Sequence, residues 1–152
     1  MSSISKAGIF IDVKQLLEFT DQMVYTMKVH NRKKYGDKLV QYNLDMVAYF
    51  TMAFHRRDEH ISFDAGGKHY DINLKGEKRV YVDALEAAFV NYQTVMEFCF
   101  ARGMFELMNK RKRRRKKNQF MDLMGKISSG IVKWSGSLYK QVVVTEKCST
   151  QA

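Results

Sequence analysis

VDALEAAFVNYQTVMEFCFARG, residues 82–103, is the stretch that decides the fold. Val82, Leu85, Phe89, Tyr92, Met96, Cys99, Phe100 and Gly103 recur at spacings of three and four. That period lines one face of an α-helix and neither face of a strand. Asp83 and Glu86 sit near its start, where the helix dipole favours acid. Working outward, the same spacing returns three more times. Residues 12–30 carry Val13, Leu16, Leu17, Met23, Val24 and Met27 behind Asp12 as a candidate N-cap. Leu39, Tyr42, Met46, Tyr49, Phe50 and Ala53 give a helix that Asp37 can cap and that ends near His55. Phe120, Leu123, Ile127, Ile131, Trp134 and Leu138 give another, from Gln119 to Tyr139, with Asn118 as its cap. The polar HNRKKYG at 30–36 reads as a short break, and short breaks join antiparallel neighbours.

Residues 60–76 change period. Ile61 and Phe63 alternate with polar residues, as do Tyr70, Ile72 and Leu74, and Asp64-Ala65-Gly66-Gly67 lies between them. Period two around a Gly-Gly turn predicts a β-hairpin. The expected fold is all-α: an antiparallel four-helix bundle with this hairpin inserted between helices 2 and 3. One domain is expected over 1–140, with 141–152 as a tail. There Val142, Val143 and Val144 either add a strand or stay disordered. The last helix is rich in small residues, including Gly125, Ser128, Ser129 and Gly130. They would let a second helix, or a nucleic-acid backbone, come close.

The formal net charge of +10 over 152 residues is local in origin. Of the 26 lysines and arginines, eight form the unbroken run Lys110-Arg111-Lys112-Arg113-Arg114-Arg115-Lys116-Lys117, and the other 18 nearly balance the 16 acids. Adjacent cations repel, and they stand at the positive end of the helix that follows. An anionic partner would relieve both costs, and arginine forks match phosphate. Nucleic acid, RNA foremost, is therefore the favoured partner. A targeting signal, an acidic membrane and a solvated charge block are the competing readings. Arg32, Lys33 and Lys34 beside Tyr35 extend the expected surface, and Arg56 and Arg57 extend it more weakly.

Catalytic and metal signatures are not found. His55 and His60 are five residues apart rather than four, so with Asp58 and Glu59 they do not make a helical metal pair. Cys99 lies on an apolar face and Cys148 in the tail, with no nucleophile motif around either. Gly66-Gly67 precedes a strand pattern, so it is not a phosphate loop. We expect a non-enzymatic cytoplasmic protein with no cofactor, no metal and no membrane span.

The order of features also carries a resemblance. A first helix is followed by the basic entry NRKKYGDKLVQ, and the last helix reads KKNQFMDLMGKISSGIVKWSGSL. Over roughly residues 13–140 this resembles the four-helix-bundle family of the accessory variability determinant of diversity-generating retroelements. That family also includes proteins encoded in intervening sequences of bacterial 23S rRNA genes. The resemblance implies a homo-oligomer, a pentamer in that family, with a basic surface. It implies binding to a retroelement reverse transcriptase and its template RNA in mutagenic cDNA synthesis. It places Arg32, Lys33 and Lys34 on that surface, and Trp134 in the core or at a subunit contact. The alternatives are a DNA- or RNA-binding structural protein without a polymerase partner, and an interaction scaffold whose basic run is a localisation signal.

Overall fold

A computed structural model of the chain describes residues 8–55, 59–74, 76–136 and 141–146. The protein is mostly helical with a small antiparallel sheet. The order is α1 (Gly8–Val24), α2 (Val29–Asn31), a π-helical turn (Arg32–Gly36), α3 (Asp37–His55), β1 (Glu59–Ala65), β2 (Lys68–Leu74), α4 (Gly76–Ala101), α5 (Lys110–Gly136) and β3 (Gln141–Glu146). Each of the four long helices packs on two others: α1 on α3 and α5, and α4 on α3 and α5. One core runs through all four, from Val13, Leu16 and Phe19 through Leu39, Met46 and Phe50 to Tyr92, Met96, Phe120 and Ile127.

The two ends of this arrangement differ. At one end α1 and α4 stop while α3 and α5 begin, joined by Leu107 N–H donating to the Thr26 carbonyl at 2.9 Å. At the other, Phe50 stacks on Phe10 at 5.5 Å and meets Trp134 at 4.8 Å. The half-buried Trp134 thus packs against the core. The sheet follows α3, leads into α4 and follows α5, so it emerges at this second end. A helix of 27 residues separates the ends by about 40 Å at 1.5 Å per residue.

The hairpin forms with the expected turn. Ala65 pairs with Lys68 across Gly66 and Gly67, whose φ values of +59° and +76° are those that glycine adopts without strain. Its place in the helix order differs from expectation. It lies between the third and fourth helices, not the second and third, because Val29–Asn31 forms a helix of its own. For Val142–Val144, the strand is formed: β3 pairs antiparallel with β2 in the order β1-β2-β3. Phe63 and Tyr70 of the sheet lie outside the helical core. Phe63 stacks on Tyr70 at 5.0 Å and stays 44% exposed.

The polar side of the hairpin holds His69 between two acids. Its Nδ1 lies 2.7 Å from Asp64 and its Nε2 3.3 Å from Asp71, to which Ser62 donates a hydrogen bond. The hydrogen bond with Asp64, helped by the charge of Asp71, raises the His69 pKa above the ordinary histidine value. A raised folded-state value means that this contribution is complete below about pH 6.5, the unfolded value, and is lost as pH rises through the folded value. We expect the His69 ring protons, followed by NMR, to titrate above pH 6.5. Asp64→Asn should move that midpoint back down, and an unmoved midpoint would break the assignment.

The break read at 30–36 is helical instead. Residues 29–36 run straight into α3, and the chain turns earlier, at Tyr25–Lys28. Asp37 does not cap: it is in helical conformation, and its N–H reaches the Arg32 carbonyl in the wider π pattern. That turn presses Gly36 on the end of α1, where a Cβ would stand 2.8 Å from Val24 Cγ1. Lysine, arginine and asparagine look like loop residues by polarity, yet lysine and arginine are good helix formers.

Three helices are pinned by one buried polar group. Thr20 Oγ1 on α1 lies 2.6 Å from Asn43 Oδ1 on α3, 2.6 Å from the Tyr92 hydroxyl on α4, and 2.7 Å from the Leu16 carbonyl. Burial raises the Tyr92 pKa, so its proton stays in place for bonding. Thr20→Val keeps the shape but orphans two buried partners, at about 1–3 kcal/mol each. We expect a loss of about 2–3 kcal/mol in urea unfolding, part of it regained when Tyr92→Phe is added. No recovery in the double variant would mean that the two hydroxyls do not act together.

Candidate nucleic-acid interface

The eight-residue run is the start of α5 itself. This corrects the expected helix start at Gln119 and the expected cap at Asn118. The cap is Asn109, whose Oδ1 accepts the Lys112 N–H at 2.8 Å. The chain reaches that cap through a fixed turn. Gly103, at φ +63°, ends α4 with its N–H on the Phe100 carbonyl at 3.1 Å and that of Met104 on the Cys99 carbonyl at 3.0 Å. This is the paired closure that a left-handed glycine allows. Phe105 and Met108 are then buried and anchor the turn. Charge repulsion and the dipole oppose a helix start here. Helix propensity, a side-chain cap and the buried anchors outweigh them.

Helical geometry sorts the run. Lys110, Arg111, Lys112, Arg114, Arg115 and Lys117 are exposed, whereas Arg113 and Lys116 are half-buried on the side of Phe120 and Leu123. Lys116 donates to Gln22 Oε1 at 2.9 Å, with its ammonium 5.8 Å above the Phe19 ring. Arg113 Nε is buried with no hydrogen-bond partner among the described residues. No acid occupies the first turn of α5.

The structure brings the second expected cluster to the same end. Arg32 turns partly inward: its Nη2 donates to the carbonyls of Tyr25 and Met27 at 3.2 and 3.1 Å, and its guanidinium lies 5.6 Å over the Tyr25 ring. Lys33 and Lys34 are exposed. The Lys34 ammonium lies 5.4 Å over Tyr35, Tyr35 meets Phe98 at 5.5 Å, and Phe98 carries the Arg102 guanidinium at 5.3 Å. A path of rings and cations thus links the α3 entry to the end of α4. Lys28 pairs with Glu106 at 2.8 Å, and the hydrogen bond and charge of Glu106 raise the Lys28 pKa. Tyr25, Lys28 and Arg102 were not singled out from sequence. Their one signal is position, at the ends of helices that meet here, and Tyr25 is 72% exposed. Arg56 and Arg57 lie outside the described residues.

His55 is exposed, edge-on to Phe54 at 5.5 Å, and Asp58 lies outside the described residues. Among the described residues no group of three His, Cys, Asp or Glu is placed to hold a metal ion. Burial pushes the Cys99 thiol up to about 11, so it packs as a hydrophobe. Two clefts flank the second half of α5. One of about 590 Å³ lies against the start of α1, and one of about 290 Å³ lies against α4. Ile9 fills the approach to Gly130, where a Cβ would stand 3.3 Å away, so that small residue serves helix packing. Among the described residues no helix is long and apolar enough to cross a membrane. Comparison with protein-family models, curated proteins and solved structures finds no match to this chain.

Proposed function

We propose that this protein is a non-enzymatic nucleic-acid-binding module and that its contact surface is the basic end of the helices. The observation that carries the proposal is the set of six exposed cations on one capped helix, at the end of the helices that also carries Lys33, Lys34 and Arg102. Such a surface is preorganised, so phosphate binding does not first have to order a flexible chain. The four helices, with each packed on two others, are compatible with the antiparallel bundle of the resemblance. If that resemblance holds, a reverse-transcriptase partner, its template RNA and a homo-oligomer are narrower forms of the same proposal. Affinity for nucleic acid across a salt series tests the core of it. The intact protein is compared with a variant in which Lys110, Arg111, Lys112, Arg114, Arg115 and Lys117 are glutamine. Glutamine keeps helix propensity and removes charge. Unchanged binding in the variant overturns the proposal.

An interaction scaffold is the second reading. It is favoured by the sheet at the opposite end, where Phe63 and Tyr70 stack without entering the core. It predicts that the glutamine variant still captures its partner protein.

A further inference from the structure

We infer that the outward face of the first half of α5 enters the major groove of duplex DNA. The inference rests on the nucleic-acid reading above and names the substrate class. Arg111, Arg114, Arg115 and Asn118 are all exposed and recur at i, i+3, i+4 and i+7. They form one stripe on the side of the helix opposite Phe120, Leu123, Met124 and Ile127, which are buried. Lys110 and Lys117 stand on one flank of that stripe and Lys112 on the other, by the 100° step of the helix. The chemistry is thus sorted across the face. The centre carries forked guanidinium groups and one amide, and the flanks carry point charges.

This arrangement matches a groove better than a bare strand. In the major groove, arginine meets guanine O6 and N7, and asparagine meets adenine N6 and N7, while flanking lysines reach phosphates. An α-helix about 10–12 Å across fits a B-form major groove about 12 Å wide, and the stripe from Arg111 to Asn118 runs about 10.5 Å along it. The A-form groove of duplex RNA is deep and narrow and does not admit a helix. Asp122 ends the positive face one turn later, paired with Lys126 at 3.4 Å, so the footprint is short. The geometry therefore favours DNA over the RNA expected from sequence.

The test uses the intact protein, so no variant has to fold. Fluorescence anisotropy is measured at one ionic strength with four probes. These are a 24-base-pair DNA duplex of mixed sequence, the same duplex with 7-deazaguanine for guanine, the matching RNA duplex, and the single RNA strand. The expected result is that the DNA duplex binds about tenfold or more tighter than either RNA, and that loss of guanine N7 weakens binding several-fold. Equal or tighter binding of either RNA overturns the groove assignment and leaves the basic end as the binding surface. Indifference to 7-deazaguanine overturns it as well. Weak binding of all four removes the proposed function along with it.

Discussion

With Lys110, Arg111, Lys112, Arg114, Arg115 and Lys117 changed to glutamine, the salt dependence of nucleic-acid binding is expected to collapse. Each phosphate neutralised contributes about 0.9 to the slope of log K against log salt on duplex DNA and about 0.7 on a single strand. Six such contacts give a slope near −5 or −4, and a slope of −5 is about a thousandfold in affinity between 50 and 200 mM salt. The variant should retain only the shallow dependence of Lys33, Lys34 and Arg102. Its stability should move the other way. The six cations are neighbours at i+3 and i+4, where like charges cost about 0.2–0.5 kcal/mol per pair, and they sit at the positive end of the α5 dipole. The glutamine variant should therefore be more stable by about 1–2 kcal/mol. Weaker binding together with a higher melting point marks a surface kept for a ligand. Weaker binding with a lower melting point would mean that the cations serve the fold, for example through contacts like that of Lys116 with Gln22.

Phe120→Ala should cost about 3–5 kcal/mol, the usual range for removing a buried aromatic. Phe120 is 2% exposed, and two helices converge on it: the rings of Phe19 on α1 and of Tyr92 and Phe100 on α4 stand 6.4, 6.3 and 5.6 Å away. It is also the first core residue of α5 after the basic run, so it sets the direction of the binding surface. Against a typical net stability of about 5–15 kcal/mol, that loss is large enough to read in urea unfolding. Amide exchange should rise first over the residues just before Phe120, because Phe120 ties the far end of the basic run to the core. A loss below about 1 kcal/mol would show that the ring cluster does not anchor α5.

The legible parts of the fold are those where one residue's neighbours in sequence are also its neighbours in space. The apolar period of 82–103 gave a helix because i, i+3 and i+4 share a face whatever else the chain does. Gly66-Gly67 gave its turn because positive φ is a local demand. Leu39, Met46, Phe50 and Ala53 were found as a stripe and are buried. Helix ends were harder. Asn118 looks like a cap as good as Asn109, and only the burial of Phe105 and Met108 decides where the chain turns into α5. Phe19 and Met124 flank the expected stripes of their helices, and tertiary packing buries them. The polar Thr20 was missed for a related reason: its partners Asn43 and Tyr92 are 23 and 72 residues away.

For the candidate site the division is similar. By itself the sequence determined that eight cations are contiguous, that charge elsewhere nearly cancels, and that four amphipathic helices must bury their stripes on one another. Charge and periodicity are properties of the chain and survive any fold. The tertiary structure alone decided that the run is helical from its first residue, that Arg113 and Lys116 turn inward, and that Arg111, Arg114, Arg115 and Asn118 share a face. It also decided that Lys33, Lys34 and Arg102 stand at the same end, although Lys34 and Arg102 are far apart in sequence. The physical reason is that a helix turns charge into direction only once another helix fixes which side is buried, and that choice is made by the core.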